Sequence, residues 1–387
     1  MTGAWLTDPV YVTRPFLPPI EEMLPLLRDI WNSRILTNQG PYHQKLERRL
    51  STLFDDRAVS LVANGTLALS IALQAAALEG DVVTTPYSFV ATPHAVRLAN
   101  LNPIFADVRP DTLNIDPAAV EAAITPRTSA ILAVHVYGTP CDVEALEAIA
   151  RRHGLALIYD AAHAFGVRIG NRSITSWGDF STLSFHATKS FQTFEGGAIV
   201  AGAAGKARAD LLRNFGIVDE ETVETIGGNA KMNEFSAALG LLQLDHFEAV
   251  RRDLGRIDRL YRSLLCDISG LRLLPVPEGV EANHAYFPVL VEPDFRTDRD
   301  SLHAELRGHG IHARRYFYPL LSNLPMYRDH ASAAPENLPI ANRAAERILC
   351  LPIFAGLDET TQRRIASIIR GEPIAVVAGA EPLGAPG

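Results

Sequence analysis

Seven short apolar or β-branched runs, spread through residues 58–201 and separated by helical or loop segments, constrain this chain more than any other feature. They are Ala58–Val62, Val82–Thr85, Pro103–Val108, Ala130–Val136, Leu155–Tyr159, Thr182–Phe185 and Ala198–Ala201. Strands buried on both faces read as near-continuous apolar runs rather than as alternating ones. Parallel strands cannot be joined by a tight turn, so helices recur between them and cover the sheet. The sequence therefore predicts an α/β domain with a mostly parallel sheet covered on both faces.

The flanks read differently. Residues 1–19, rich in Pro and aromatics, form an extended lead-in. Helical spacing follows over 21–35, with Met23, Leu27, Ile30 and Trp31 on the buried side. After the break Thr37-Asn-Gln-Gly-Pro41, a second helix runs through Leu46, Leu50 and Leu53. A long helical region over 232–265 precedes a strand at 284–291, a helix at 298–309, a strand at 311–313 and closing helices at 340–348 and 358–369. A chain of 387 residues accommodates two ordinary domains. The expected division is a large domain over 1–245, including the N-terminal extension, and a smaller C-terminal α+β domain over 246–387, with the long helix as the hinge. The last dozen residues, rich in Ala, Gly and Pro, read as a loose tail.

Several function classes are set aside by composition. A net charge of −8 opposes nonspecific binding to nucleic acid, though not a local basic pocket for a phosphorylated ligand. Cys141, Cys266 and Cys350 are scattered and odd in number, which suits a reducing compartment and no disulfide framework. No cysteine–histidine spacing suits zinc, so no metal is expected. The apolar stretches are too short to span a bilayer, and no basic region followed by an apolar run opens the chain. A cytoplasmic protein with no membrane partner is expected.

Chemistry enters with Asp160 and Lys189. Lysine is scarce: Lys45, Lys189, Lys206 and Lys231 stand alone among 36 Lys and Arg residues. An amine can form a Schiff base, whereas a guanidinium that never loses its proton cannot. Asp160 closes the apolar run that begins at Leu155, at the carboxyl end of a strand, where ligands of open α/β sheets bind. A carboxylate there can keep a pyridinium nitrogen protonated, and a lysine paired with such a group is what pyridoxal phosphate (PLP) requires. An Asp in this place can instead cap the following helix. His163 is within reach of the same ring, or else is a packed, satisfied histidine. Asn64-Gly65-Thr66 joins a strand to a helix and offers free N–H groups to a phosphate, although the same residues make an ordinary N-cap. Ser184 ends a strand where its hydroxyl could reach a phosphate oxygen. Phe89, after Pro86-Tyr-Ser, is placed to stack on a pyridine ring or to fill the core. The pair Gly196-Gly197 lets the backbone pass close to a flat ligand.

In their order and spacing, Thr37-Asn-Gln-Gly-Pro41, Asn64-Gly-Thr66, Asp160-Ala-Ala-His163, Ser184 to Lys189, Glu195-Gly-Gly197 and Gly228-Asn-Ala-Lys-Met-Asn-Glu234 carry a resemblance over nearly the whole chain. The chain resembles the sugar aminotransferases of the DegT/DnrJ/EryC1/StrS group, PLP enzymes with the aspartate-aminotransferase-like (type I) fold. The resemblance implies a large PLP-binding domain, with Lys189 as the Schiff-base lysine and Asp160 on the pyridine nitrogen. His163 stands where the group more often has Gln, near the ring oxygen. Gly65, Thr66 and Ser184 hold the phosphate, Phe89 stacks on the ring, and Asn229 reaches the phosphate in the neighbouring subunit of a homodimer. There are two departures. Lys231 replaces an Arg common in the group, keeping the charge and losing the bidentate fork; Leu321 replaces a common His. Arg315, Tyr316 and Tyr318, with Lys231, are candidate substrate contacts; the first three can equally be surface cations and packed aromatics.

By the same resemblance the reaction moves an amino group from L-glutamate to a keto group of a nucleotide-linked sugar. The wording of Ser184–Lys189, Phe194–Gly197 and Asn229–Glu234 resembles a subgroup that aminates C4 of TDP-4-keto-6-deoxyglucose, giving TDP-4-amino-4,6-dideoxyglucose. A C3-aminating relative or the galacto product is the alternative. Dehydratases of this scaffold carry His in place of the lysine, so Lys189 opposes that reading. A non-enzymatic regulator is opposed by the intact Asp160, Lys189 and phosphate-loop residues.

Overall fold

The structure is a computed structural model describing residues 9–372, so the expected C-terminal tail lies outside the described residues. Its centre is a seven-stranded sheet: β1 (Ala58–Val62), β2 (Asp81–Thr84), β3 (Asn102–Phe105), β4 (Thr128–Val134), β5 (Ala156–Asp160), β6 (Phe180–Ser184) and β7 (Gly197–Ala201). The spatial order is β1-β7-β6-β5-β4-β2-β3, and the strands are parallel except for β7, which runs antiparallel between β1 and β6. The expected α/β architecture with a mostly parallel sheet is thus present. Both sheet faces are buried. One faces Leu46, Leu50, Phe54 and Phe165; the other faces Leu69, Ala72 and Leu73 of the helix Gly65–Ala75.

The helix Glu234–Leu265 runs from this sheet into a second core. There Leu254, Ile257, Tyr261 and Leu265 pack against Val289, Leu302, Leu306 and Ile365. The strands Leu271–Leu273, Phe287–Val291 and Ile348–Leu351 form a small antiparallel sheet beside it. Val10–Tyr11 pairs with Ile311–His312, so the described chain begins on this C-terminal layer. Two local expectations are corrected. Trp31 is 72% exposed, because the helix Ile20–Ser33 turns Met23 and Ile30, but not Trp31, toward Ala238 and Leu239. Ile348 starts a strand rather than ending a helix, because Leu290 pairs with it across the small sheet.

A slab of aromatic rings fixes the segment that carries Lys189. Phe165 stacks on Phe191 at 4.0 Å and meets Phe185 and Phe247 edge-on at 5.9 and 4.9 Å. Gly166 turns beneath it at φ +72, and a Cβ there would stand 2.5 Å from the Phe247 ring. Such ring pairs contribute about 0.5–1.5 kcal/mol each beyond their burial. They clamp the Phe185–Phe191 loop between the Phe165 turn and the long helix.

Buried histidines set the acid limit of the fold. Burial brings His43 down to about 4, with Glu47 and Asp210 opposing and Arg213 and Lys206 reinforcing the shift; burial alone brings His135 down to about 3. His163 is held well below its ordinary value by burial and by Lys189. A folded-state pKa below the unfolded one means that stability is complete above the unfolded value near 6.5. It is lost as the pH falls toward the folded values, because unfolding takes up protons. Unfolding at pH 5.5 should therefore bind about three protons at these sites, steepening the loss of stability by about 1.4 kcal/mol per pH unit for each. Urea denaturation between pH 7 and 5 measures this; a flat profile would contradict three buried neutral rings.

Candidate active site

Parallel strands bring their carboxyl ends to one edge, and the loops beyond β1, β2, β5 and β6 meet there around a cavity of about 730 Å³. Asp160 is the last residue of β5 and pairs in register with Thr182 of β6, which puts Ser184 and the Lys189 loop beside it. Asn64, Gly65, Thr66, Phe89, Asp160, His163, Ser184, Lys189 and Tyr316 all line this cavity.

Asp160 is buried, and no helix follows it, so it does not serve as a helix cap. Its Oδ2 accepts a hydrogen bond from the Thr92 hydroxyl at 2.8 Å and its Oδ1 one from the Ala162 N–H at 3.1 Å. Burial raises its pKa above the ordinary carboxylate range, opposed by those two donors and by the charge of Lys189. Lys189 is half-buried, and its Nζ donates to the Tyr286 hydroxyl at 3.1 Å. Burial brings its amine down to about 8, with Asp160 and Tyr316 pulling the other way. About one amine in ten is then free base at pH 7.

The His163 ring stacks on Phe317 at 5.9 Å, and its Nδ1 accepts from the Tyr137 N–H at 3.2 Å. An accepting Nδ1 in a neutral ring puts the proton on Nε2 and leaves that N–H free to donate. Asn64 caps the helix Gly65–Ala75, its side chain accepting from the Leu67 N–H at 2.9 Å. It thereby leaves the Gly65 and Thr66 amides at the positive end of that helix. A Cβ on Gly65 would stand 2.7 Å from Ser184 Cβ, so only glycine keeps the space between the helix end and β6 open. Phe89 is 60% exposed, which places it on the cavity wall rather than in the core.

Four sequence-selected residues lie elsewhere. Asn229 is exposed and forms a β-bridge with Asn214, and Lys231 Nζ donates to Asn214 Oδ1 at 2.9 Å. Arg315 pairs with Asp300 at 2.8 Å, and Tyr318 lies beneath the guanidinium groups of Arg299 and Arg315. None of the four lines the cavity of the single chain. Thr92, Tyr286 and Phe317 are partners of the site that sequence reading missed. They belong to segments distant in sequence, and no local pattern marks them.

The sequence model of the DegT/DnrJ/EryC1/StrS aminotransferase family matches residues 19–370. The chain belongs to that family. It is 46% identical over 363 residues to the dTDP-4-amino-4,6-dideoxy-D-glucose transaminase of Escherichia coli, covering 93% of this chain and 98% of that protein. It is 47% identical over 367 residues to the transaminase of the same name from Shigella dysenteriae, covering 94% and 99%. Among solved structures it matches DesI in the presence of its TDP-sugar product, with a TM-score of 0.90 and 38% identity over 95% of this chain and 93% of that one.

The Thr92 contact yields a direct test. Thr92→Val removes the donor to Asp160 Oδ2 without changing the shape of the side chain. It should lower the unfolding free energy of the cofactor-free protein by about 1–3 kcal/mol, read by urea denaturation at pH 8.

Proposed function

We propose that this aminotransferase uses PLP to move the amino group of L-glutamate to C4 of TDP-4-keto-6-deoxyglucose, giving TDP-4-amino-4,6-dideoxyglucose. The observation that carries the reading is one cavity holding a buried carboxylate, a lysine whose amine is brought down to about 8, and a helix N-terminus opened by Gly65.

The residues present fit PLP on three separate counts. The Gly65–Ser184 gap, which a Cβ would fill, faces the amides of Gly65 and Thr66 and suits a phosphate. Asp160, costly to ionise in its buried place, gains an opposite charge from a protonated ring nitrogen. Lys189 offers the amine that an aldehyde requires. When bound, PLP supplies that aldehyde and an electron-accepting ring. With PLP bound, Asp160 would hold the proton on the ring nitrogen, and the free Nε2–H of His163 would be available to its ring oxygen. Phe89, exposed on the cavity wall, would cover one face of the ring. Lys189 Nζ takes the proton from Cα of the amino donor and, in the second half of the reaction, delivers one to C4 of the sugar. The low amine pKa leaves enough free base near neutrality for that transfer.

The working unit is proposed to be a homodimer in the cytoplasm. Phe215, Ile217, Val218, Val223 and Ile226 form an exposed apolar group beside Asn229, and such a patch supports association with a second copy. Asn229 and Lys231 then serve the neighbouring subunit's cavity, and Tyr316 contacts substrate in its own. Arg315 and Tyr318 are the outer candidates for the sugar diphosphate.

The purified protein, supplied with PLP, L-glutamate and TDP-4-keto-6-deoxyglucose, should form 2-oxoglutarate and one amino sugar, identified by NMR. A galacto product would overturn the assigned configuration, and absence of turnover with this 4-keto sugar would overturn the substrate assignment. Lys189→Ala should abolish turnover. Gly65→Ala should raise the PLP concentration for half-saturation by about tenfold or more, because the added methyl closes a phosphate cradle whose contribution exceeds about 1.4 kcal/mol.

A further inference from the structure

Among the described residues, Tyr286 supplies the hydroxyl that hydrogen-bonds the Lys189 amine, with Nζ donating to Oη at 3.1 Å. It does not come from the sheet that supplies Asp160, His163 and Lys189. It stands just before the strand Phe287–Val291 of the C-terminal unit, and a double anchor fixes it there. Asn283, fully buried, donates from Nδ2 to the carbonyls of His163 and Phe165 at 2.8 and 3.1 Å, and its Oδ1 accepts from the Ala285 N–H at 3.2 Å. A Cβ on Gly138 would come within 2.9 Å of that Oδ1, so the amide is boxed in by the Tyr137–Gly138 turn as well. The neighbouring His284 faces Asp258 of the long helix at 3.6 Å. The Tyr286 ring then leans on His163 at 4.7 Å and meets Tyr137 and Tyr316 at 5.8 and 6.3 Å. One buried amide thus ties the loop bearing His163 to the segment bearing the hydroxyl.

We propose that Tyr286 is a catalytic residue that receives and aligns the Lys189 amine whenever it is free, and that Asn283 is the positioning residue that sets this hydroxyl. This rests on the reading of Lys189 as the reacting amine. Detached from any carbonyl, the amine sits on a flexible four-carbon stem and needs a fixed partner to face the proton it must move. Tyr286 supplies that partner as a neutral phenol, since burial raises its pKa far above neutrality. The other polar or titratable groups that face the amine are Asp160, His163 and Tyr316.

Tyr286→Phe keeps the ring packing and deletes the acceptor. In the cofactor-free protein, the pH dependence of Lys189 modification by an amine-reactive label, followed by mass spectrometry, gives the titration midpoint of the amine. A lost bond to an ammonium donor should lower that midpoint by about one unit, making labelling at pH 7 about fivefold faster. With PLP, glutamate and sugar nucleotide, kcat should fall by about 10²-fold with little change in either KM. Asn283→Ala should shift the midpoint in the same direction; if it does not fold, Tyr286→Phe alone decides. An unchanged midpoint in Tyr286→Phe overturns the proposal even if kcat falls. Retained turnover in Lys189→Ala would instead overturn the reading of the lysine, so the two failures are distinguishable.

Discussion

Asp160 and Lys189 line one cavity, and the site depends on the balance between their attraction and their desolvation. Burial drives each toward its neutral form, and the charge of each opposes the change in the other. Neither effect wins outright. The lysine is left with an amine pKa of about 8, and the carboxylate is left in need of a further cation. A group that carries a protonated ring nitrogen and accepts an amine answers both needs.

The remainder of the chain holds that balance in place. Register between β5 and β6 sets Asp160 against Thr182, and the Phe165–Phe191 stack pins the loop from β6 to Lys189. The antiparallel β7 between β1 and β6 brings the Asn64–Thr66 turn alongside Ser184, since Gly197 pairs with both Val62 and Ser184. The C-terminal unit closes the site with Tyr286, Tyr316 and Phe317. Their aromatic surface adds to the burial that lowers the amine pKa.

Much of this was legible in the residues. All seven runs became strands, with ends displaced by at most three residues, because strands buried on both faces leave a plain apolar signature. Asp160, Lys189, Gly65, Thr66, Ser184, His163 and Phe89 were selected from local pattern and resemblance, and they converge on one cavity. Trp31 was misread because helical spacing gives the period of an apolar face and not the width its neighbour covers. Ile348 was added to the helix Pro339–Arg347 because it falls at helical spacing from Ala341, Ala344 and Ala345, whereas its pairing with Leu290 is not visible in the local run.

The sequence by itself determined the class of sheet, the scarcity of amines and the carboxylate at a strand end. These are properties of single segments, fixed by side-chain type and local spacing. Tertiary structure decided the rest. It chose Tyr286 as the partner of Lys189 across 97 positions of chain, Thr92 as the donor to Asp160 across 68, and Asn283 as the tie to His163 across 120. It also set the direction of the pKa shifts at Asp160, His163 and Lys189, since their desolvation arises from the packing of distant segments around each group and no local run of residues encodes it.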